Sequence, residues 1–158
     1  MTIRVGMGFD VHPVSDDPAR ALVLGGVKLP GEVGLAGHSD ADVVAHAAAD
    51  ALLGAADQGD VGTHFPASDP EWADADSIEL LERAARILGR AGWTPINVDC
   101  AVVLDAPALA PHLAGMRERL TNAVGAPVAV KAKRAEGVGT LGRGEAVACW
   151  AVALVERT

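Results

Sequence analysis

Hydrophobic residues recur along the chain at strand spacing in some stretches and at helix spacing in others. Ile3–Phe9 is a run of strand formers with glycines towards its end. Leu22–Leu24 and Val27–Leu29 flank Gly25-Gly26, which predicts a hairpin. Asp42–Ala56 is alanine-rich and free of proline, which predicts a helix. Asp57–Pro70 concentrates Gly, Pro, Asp and Ser and reads as a loop, long enough to be functional or mobile. Asp76 and Glu79 have the spacing of a capping box with Asp76 as N-cap. Ile78, Leu81, Ala85 and Leu88 then share one face of a helix that Gly92 ends. Val98–Leu104 is a strand, and Pro111–Val124 a second amphipathic helix closed by Gly125. Pro127–Ala132 is a further strand, and Gly137–Gly144 a glycine-rich turn. Ala146–Val155, the longest apolar run, predicts a strand covered on both faces. Hairpins mixed with helical crossovers give an α+β fold, a mixed β-sheet with helices packed on one face. No repeat, low-complexity tract or linker divides residues 1–158, so one domain is expected.

Composition narrows what such a domain can do. Lys and Arg total 13 and Asp and Glu 21, a net charge of −8; half the residues are hydrophobic and 22% are charged. That balance excludes disorder and argues against a nucleic-acid partner, whose phosphates must be neutralised by cations. Ala146–Val155 is only about half the ~20 residues of a membrane-spanning helix, so no membrane partner is expected. The opening Met1-Thr2-Ile3-Arg4-Val5-Gly6 has no basic stretch followed by an apolar core. Cys100 and Cys149 lie in apolar strand-like runs and read as buried free thiols of a reducing compartment. The expected location is cytoplasmic.

The histidines carry the first chemical signal. Asp10 and His12 stand two apart at the end of the first strand, so both side chains face one way. His46 falls in the alanine-rich helix. One further ligand beside Asp10 and His12 gives the three-ligand, one-open-position pattern of a catalytic Zn²⁺. An Asp-x-His pair also recurs by chance, and a helical histidine is also a satisfied core group. Asp42, His46 and Asp50 recur every fourth residue as a polar stripe among Val43, Val44, Ala45, Ala47, Ala48 and Ala49. We read the stripe as facing a site, with either aspartate able to orient an imidazole. A second signal is the glycine-rich turn beside Lys131, Lys133, Arg134 and Arg143, where backbone N–H groups and cations suit an anion. The turn is neither a Walker A loop nor a dinucleotide fingerprint. Within it, Glu136 either forms a salt bridge or holds a hard divalent ion against phosphate oxygens. Together these residues point to a metal site near a phosphate-binding turn and to phosphoryl-group chemistry.

The motifs around these residues resemble one family. Arg4-Val5-Gly6-Met7-Gly8-Phe9-Asp10-Val11-His12 is similar to the N-terminal signature of the 2-C-methyl-D-erythritol 2,4-cyclodiphosphate synthases. His38-Ser39-Asp40-Ala41-Asp42-Val43-Val44-Ala45-His46 resembles the family's second motif, and Gly37 before it carries none of the likeness. Asp50-Ala51-Leu52-Leu53-Gly54-Ala55, Asp60-Val61-Gly62, Phe65-Pro66 and Gly142-Arg143-Gly144-Glu145 continue the likeness over essentially the whole chain. The resemblance implies a lyase of the non-mevalonate isoprenoid pathway. In this reaction the 2-phosphate of 4-diphosphocytidyl-2-C-methyl-D-erythritol 2-phosphate attacks its own β-phosphorus, and CMP leaves. It implies Zn²⁺, or another divalent cation, at Asp10, His12 and His46, and Mg²⁺ or Mn²⁺ at Glu136 between the phosphates. It implies that His38 and Ser39 contact substrate, with His38 and Arg134 acting in catalysis. Asp60, Val61 and Gly62 would bind ribose and substrate backbone, and Phe65–Asp69 would close over the methylerythritol. Leu104–Ala110 would hold cytosine, and Lys133, Arg134, Glu136, Thr140 and Arg143 would face the phosphates. It implies a homotrimer with active sites between subunits.

The family usually reads Lys-Ala-Thr-Thr-Thr-Glu where this chain has Lys131-Ala132-Lys133-Arg134-Ala135-Glu136. Gly137 replaces a usual Lys, Thr140 a usual aromatic, Ala108 a common Lys and Ala67 a frequent Asp. Arg134 still donates to phosphate, more strongly than a hydroxyl does. Two other readings stand beside the synthase: a non-catalytic trimeric protein binding phosphate or isoprenoid on the same scaffold, and a different metal-dependent phosphohydrolase.

Overall fold

The strand formers at the start of the chain extend beyond their predicted end. In the computed structural model, which describes residues 1–157, they form β1 (Thr2–Pro13). β2 (Ala21–Leu24) and β3 (Val27–Val33) make the expected hairpin around Gly25-Gly26 as a separate two-stranded sheet. α1 (Val43–Ala55), the short α2 (Val61–His64) and α3 (Ser77–Arg90) follow. Then come β4 (Thr94–Val103), α4 (Leu113–Val124), β5 (Val128–Lys133), the single turn α5 (Gly139–Gly142) and β6 (Ala146–Arg157). Asp57–Pro70 is therefore not all loop. Asp60 caps α2 by accepting the Thr63 N–H at 2.7 Å, and Asp69 caps a 3₁₀ turn at Pro70–Trp72 by accepting the Glu71 N–H at 2.9 Å. The aspartates that made the segment look irregular are what wind it into turns.

The main sheet has the order β1-β6-β4-β5. β1 and β4 are antiparallel to β6, and β5 is parallel to β4, so the sheet is mixed as predicted. β1, β4 and β5 consequently run the same way, and their C-terminal ends share one end of the sheet.

α1 crosses the inner face at unusually short range. A Cβ on Gly8 would stand 2.0 Å from the Ala47 carbonyl oxygen, and one on Gly6 would stand 2.1 Å from that of Ala51. Only hydrogen fits at either position, so the two glycines of the first strand are what let the helix backbone lie on it. The helix is buried almost all round, with Val44, Ala48, Leu52 and Leu53 fully enclosed between sheet, hairpin and α3. Asp76 is the N-cap of α3 as expected, but it accepts the Ile78 N–H at 2.8 Å rather than that of Glu79, so the reciprocal capping box is not formed. The buried face of α3 is Ile78, Leu81, Ala84 and Leu88, so Ala84 takes the place foreseen for Ala85, which is half-buried.

β6 departs from its expected cover. Cys149, Ala151, Ala153 and Val155 are buried against the helices, and Cys100 and Cys149 are free thiols as expected. Trp150 and Val152 instead face outwards with Ile3, Val5, Met7, Phe9 and Val11 of β1, each 40–70% exposed. An uninterrupted apolar run does signal two apolar faces, but this chain's helices cover only one of them. Among the described residues no helix is long and apolar enough to cross a membrane.

Gly8→Ala places a methyl group against the Ala47 carbonyl. We expect it to lower unfolding free energy by about 2–4 kcal/mol in a denaturant titration. An unchanged midpoint would show that helix and strand separate without penalty.

Candidate metal centre and phosphate site

β1 and α1 bring three predicted ligands together. Asp10 Oδ2 lies 3.2 Å from His12 Nε2 and 2.9 Å from His46 Nδ1. One ligand atom from each residue lies within 4.8 Å of the other two. The remaining ring nitrogens are already held. His12 Nδ1 donates to the Ala36 carbonyl at 2.8 Å, and His46 Nε2 donates to Ser77 Oγ at 2.8 Å, with Ser39 Oγ at 3.2 Å. Ser77 in turn donates its hydroxyl hydrogen bond to the Asp40 carboxylate. Each imidazole is thus held so that its remaining nitrogen points at Asp10, where it donates to the carboxylate when protonated and would face a divalent cation when not.

Electrostatics agree with the geometry. Burial raises the pKa of Asp10, but hydrogen bonds from His12 and His46, and their charge, outweigh it and hold the carboxyl well below the usual carboxylate range. The Asp10 hydrogen bond raises His12 above its ordinary value despite partial burial. Asp10, His12 and His46 form a compact acid–imidazole cluster that shares a proton where a cation can sit.

The polar stripe on α1 divides between two tasks. Asp42 is fully buried and touches neither histidine. Its carboxylate accepts from Gly25 N at 2.8 Å, Gly26 N at 2.6 Å, Val44 N at 3.0 Å and Ala45 N at 3.2 Å. Burial, aided by the Asp40 charge, pushes its pKa up to about 6 against the pull of the Gly26, Gly25 and Ala45 N–H groups. Asp42 therefore ties the hairpin turn to the start of α1 and does not orient an imidazole. Asp50 does face the site, where burial raises its pKa, but its partner is the Val61 N–H. The imidazole of His46 is oriented by Ser77 and Ser39 instead.

The cluster opens into a cavity of about 360 Å³. Of the predicted site residues, Asp10, His12, His38, Ser39, His46, Asp60, Val61, Gly62 and Phe65 line it. His38 is fixed by donating from Nε2 to the Asp69 carbonyl at 2.9 Å. Asp69 itself contributes that carbonyl, while its carboxylate caps the 3₁₀ turn. Asp60 is held below its ordinary pKa by the Thr63 hydroxyl and N–H. Phe9, Trp72 and Leu80 also line the cavity and were not singled out in the sequence. Trp72 packs edge-on against Phe65 at 5.2 Å, a pairing made only by the turns that follow α2. Gly37, to which the motif gave no role, is needed beside His12: a Cβ there would meet the ring at 2.9 Å. Ser77 was legible only as the first residue of α3.

The remaining predicted residues lie elsewhere. Leu104, Ala110, Lys133 and Arg134 line a second cavity of about 210 Å³. Asp105 braces the turn beyond it by accepting from Ala135 N at 2.7 Å and Gly137 N at 3.0 Å. Glu136 is exposed, with a left-handed backbone (φ 53°), and Thr140 is exposed as well. Arg143 forks onto Glu145 at 2.6 and 3.1 Å, and Lys131 pairs with Asp99, so neither is a free cation of the turn. Both groups sit at the same end of the main sheet but on opposite edges. β1 and β5 are three strand spacings apart, on the order of 14 Å. Within one chain, Glu136 and Arg134 do not reach the Asp10 cluster.

Comparison with known proteins gives one consistent result. Residues 3–156 match the YgbB family. The chain is 49% identical to the 2-C-methyl-D-erythritol 2,4-cyclodiphosphate synthase of Symbiobacterium thermophilum, over 96% of this chain and 97% of that one. Its fold superposes on the bifunctional IspDF of Campylobacter jejuni with a TM-score of 0.93 and 34% identity, covering 99% of this chain and 43% of that longer one. It superposes on Plasmodium falciparum IspF in a CDP complex with a TM-score of 0.84 and 29% identity, covering 99% of this chain and 97% of that one.

A metal must displace the proton shared by Asp10 and His12. The raised His12 pKa means that the acid–imidazolium pair stabilises the metal-free fold fully below pH 6.5 and loses that contribution as pH rises through the raised value. The gain in melting temperature on adding a divalent cation to chelator-stripped protein should therefore grow from about pH 6 to about pH 8. A gain that shrinks over that range would remove His12 from the ligand set.

Proposed function

The chain belongs to the YgbB family, and from that premise we infer that it cyclises 4-diphosphocytidyl-2-C-methyl-D-erythritol 2-phosphate to 2-C-methyl-D-erythritol 2,4-cyclodiphosphate with release of CMP. It is a phosphorus–oxygen lyase of isoprenoid biosynthesis, with its catalytic machinery carried by a single folded domain over residues 1–157. The observation that carries this reading is the intact Asp10–His12–His46 cluster at the mouth of a cavity also lined by His38 and Ser39.

The reaction is intramolecular, so the protein's task is to position and to neutralise. The 2-phosphate oxygen attacks the β-phosphorus, the bond from the β-phosphorus to its bridging oxygen breaks, and CMP carries that electron pair away. His38, anchored through Nε2, presents the rest of its ring to the phosphates. Ser39 and the backbone at Val61 and Gly62 border the same space, and Phe65 with Trp72 forms an apolar wall that limits water. Asp60 is kept ionised by Thr63 and offers acceptors to hydroxyl groups. Asp10, His12 and His46 form a donor set that suits Zn²⁺ or another divalent cation, and by the family pattern Glu136 would hold Mg²⁺ or Mn²⁺; bound there, such ions would polarise phosphate oxygens and offset their mutual repulsion.

A homotrimer accounts for the separation of the two groups. Lys133, Arg134 and Glu136 at one sheet edge of one subunit would complete the Asp10 cluster at the opposite edge of its neighbour. Leu104–Ala110 would supply the cytosine pocket, as CDP occupies the related Plasmodium falciparum protein. The uncovered apolar face of β1 and β6 is the surface such an assembly would bury. Thr140 and Arg143 would then lie near the ligand. Free, buried Cys100 and Cys149 suit a cytoplasmic enzyme. A non-catalytic binding protein on this scaffold is not favoured, because binding alone does not require the three-ligand cluster with both imidazoles fixed.

The test is CMP release from the authentic substrate with Zn²⁺ and Mg²⁺ present. Cyclic diphosphate and CMP should appear in equal amounts, and His46→Ala should lose metal retention and turnover together. A linear phosphorylated product would identify a hydrolase instead. The parent protein should also sediment at three times its 16.1 kDa chain mass, and Met7→Lys, which charges the open sheet face, should dissociate it and abolish turnover. An active monomer would remove the shared site.

A further inference from the structure

The segment Leu35–Ser39 presents His38 and Ser39 to the cavity yet has almost no secondary structure to hold it. Its five successive carbonyls are nevertheless all used. That of Ala36 accepts from His12 Nδ1 at 2.8 Å, and that of His38 accepts from Asp74 N at 2.8 Å. The other three go to one side chain. Arg20 donates from Nε to the Leu35 carbonyl and from Nη2 to the carbonyls of Gly37, at 3.2 Å, and Ser39. Its Nη1 lies 3.9 Å from Asp74, the residue that holds His38 from the other side. Arg20 is only 23% exposed, and its own carbonyl accepts from Gly34 N at 2.8 Å, so the guanidinium is anchored where the segment begins.

We propose that Arg20 is a positioning residue for the cyclisation site: its guanidinium sets the path of Leu35–Ser39, and through that path places His38, Ser39 and the carbonyl that fixes the His12 tautomer. Three carbonyls spread around one planar fork match a guanidinium and not an ammonium, whose charge is a single point on a flexible stem. The segment bends over residues 37–40, and its carbonyls at 35, 37 and 39 converge on one guanidinium while those of 36 and 38 serve His12 and Asp74. Arg20 makes its hydrogen bonds to backbone carbonyls and none to Asp10, His12 or His46; its charge reaches His12, but its hold on both ends of the site runs through the backbone between them.

The proposal rests on the metal and substrate reading above, and the parent enzyme is the control that separates the two. A parent that neither binds Zn²⁺ nor releases CMP refutes that reading and leaves Arg20 with no site to position. With an active parent, Arg20→Lys and Arg20→Ala should stay folded by circular dichroism. Each should lose roughly tenfold or more in Zn²⁺ affinity, measured on stripped protein by chelator competition, and in kcat at saturating Zn²⁺. KM should change far less. Ethylguanidinium should restore part of the kcat of Arg20→Ala, and ethylammonium should not. A folded Arg20→Lys that matches the parent in both Zn²⁺ affinity and kcat overturns the proposal. So does failure of both variants to fold, which would make the role one of stability alone. If only Arg20→Ala fails to fold, Arg20→Lys decides.

Discussion

Everything at the site depends on how closely a helix backbone can lie on a strand. At Gly6 and Gly8 the carbonyls of Ala51 and Ala47 occupy the places where side chains would begin. That approach is possible only because one surface has no Cβ and the other is built of alanine. It sets the distance from β1 to α1, and with it the distance from Asp10 and His12 to His46. Side chains any larger would push the helix away, and the three ligand atoms would no longer converge. The position of the cluster is therefore decided by packing several residues before any ligand is reached.

Polar contacts then fix orientation. Asp42 fastens the Gly25-Gly26 turn to the first turn of α1 through four backbone donors, and so sets where His46 stands along the helix. Ser77, backed by Asp40, sets the rotation of the His46 ring, and the Ala36 carbonyl does the same for His12. None of these groups touches a reacting atom. Their shared effect is preorganisation: the ligand nitrogens are aimed before a cation arrives, and His38 is anchored before substrate does. A reaction that presses two phosphates together gains most from such fixed charge, because little rearrangement is left for the moment of bond formation.

The elements and their order were largely legible, because period-two and helical apolar spacing, the Gly25-Gly26 turn and the Asp76 cap are local signals that the tertiary structure did not overrule. The metal ligands were legible for a similar reason: Asp10 and His12 share a strand face by geometry alone. Spacing left the third ligand open; the family motifs named His46 for it, and the fold brings His46 to Asp10 and His12. The Asp42–Asp50 stripe shows where local reading stopped. Period four placed three polar side chains on one side of a helix, but it could not say that Asp42 would be consumed by a turn some 16 residues upstream.

The sequence by itself determined the strands, the helices, the chemistry of the candidate metal-binding side chains and the presence of a glycine-rich turn, because each is written in neighbouring residues. Only the tertiary structure decided which group fixes each imidazole, that one arginine gathers three carbonyls of the site segment, and that the Asp10 cluster and the glycine-rich turn lie at opposite edges of one sheet. Those outcomes depend on strand order and on contacts between residues far apart in the chain, and no local pattern records the distance between them. The open apolar face of β1 and β6 belongs with them: alternation shows that a face is apolar, but only the packed chain shows that nothing of its own lies over it.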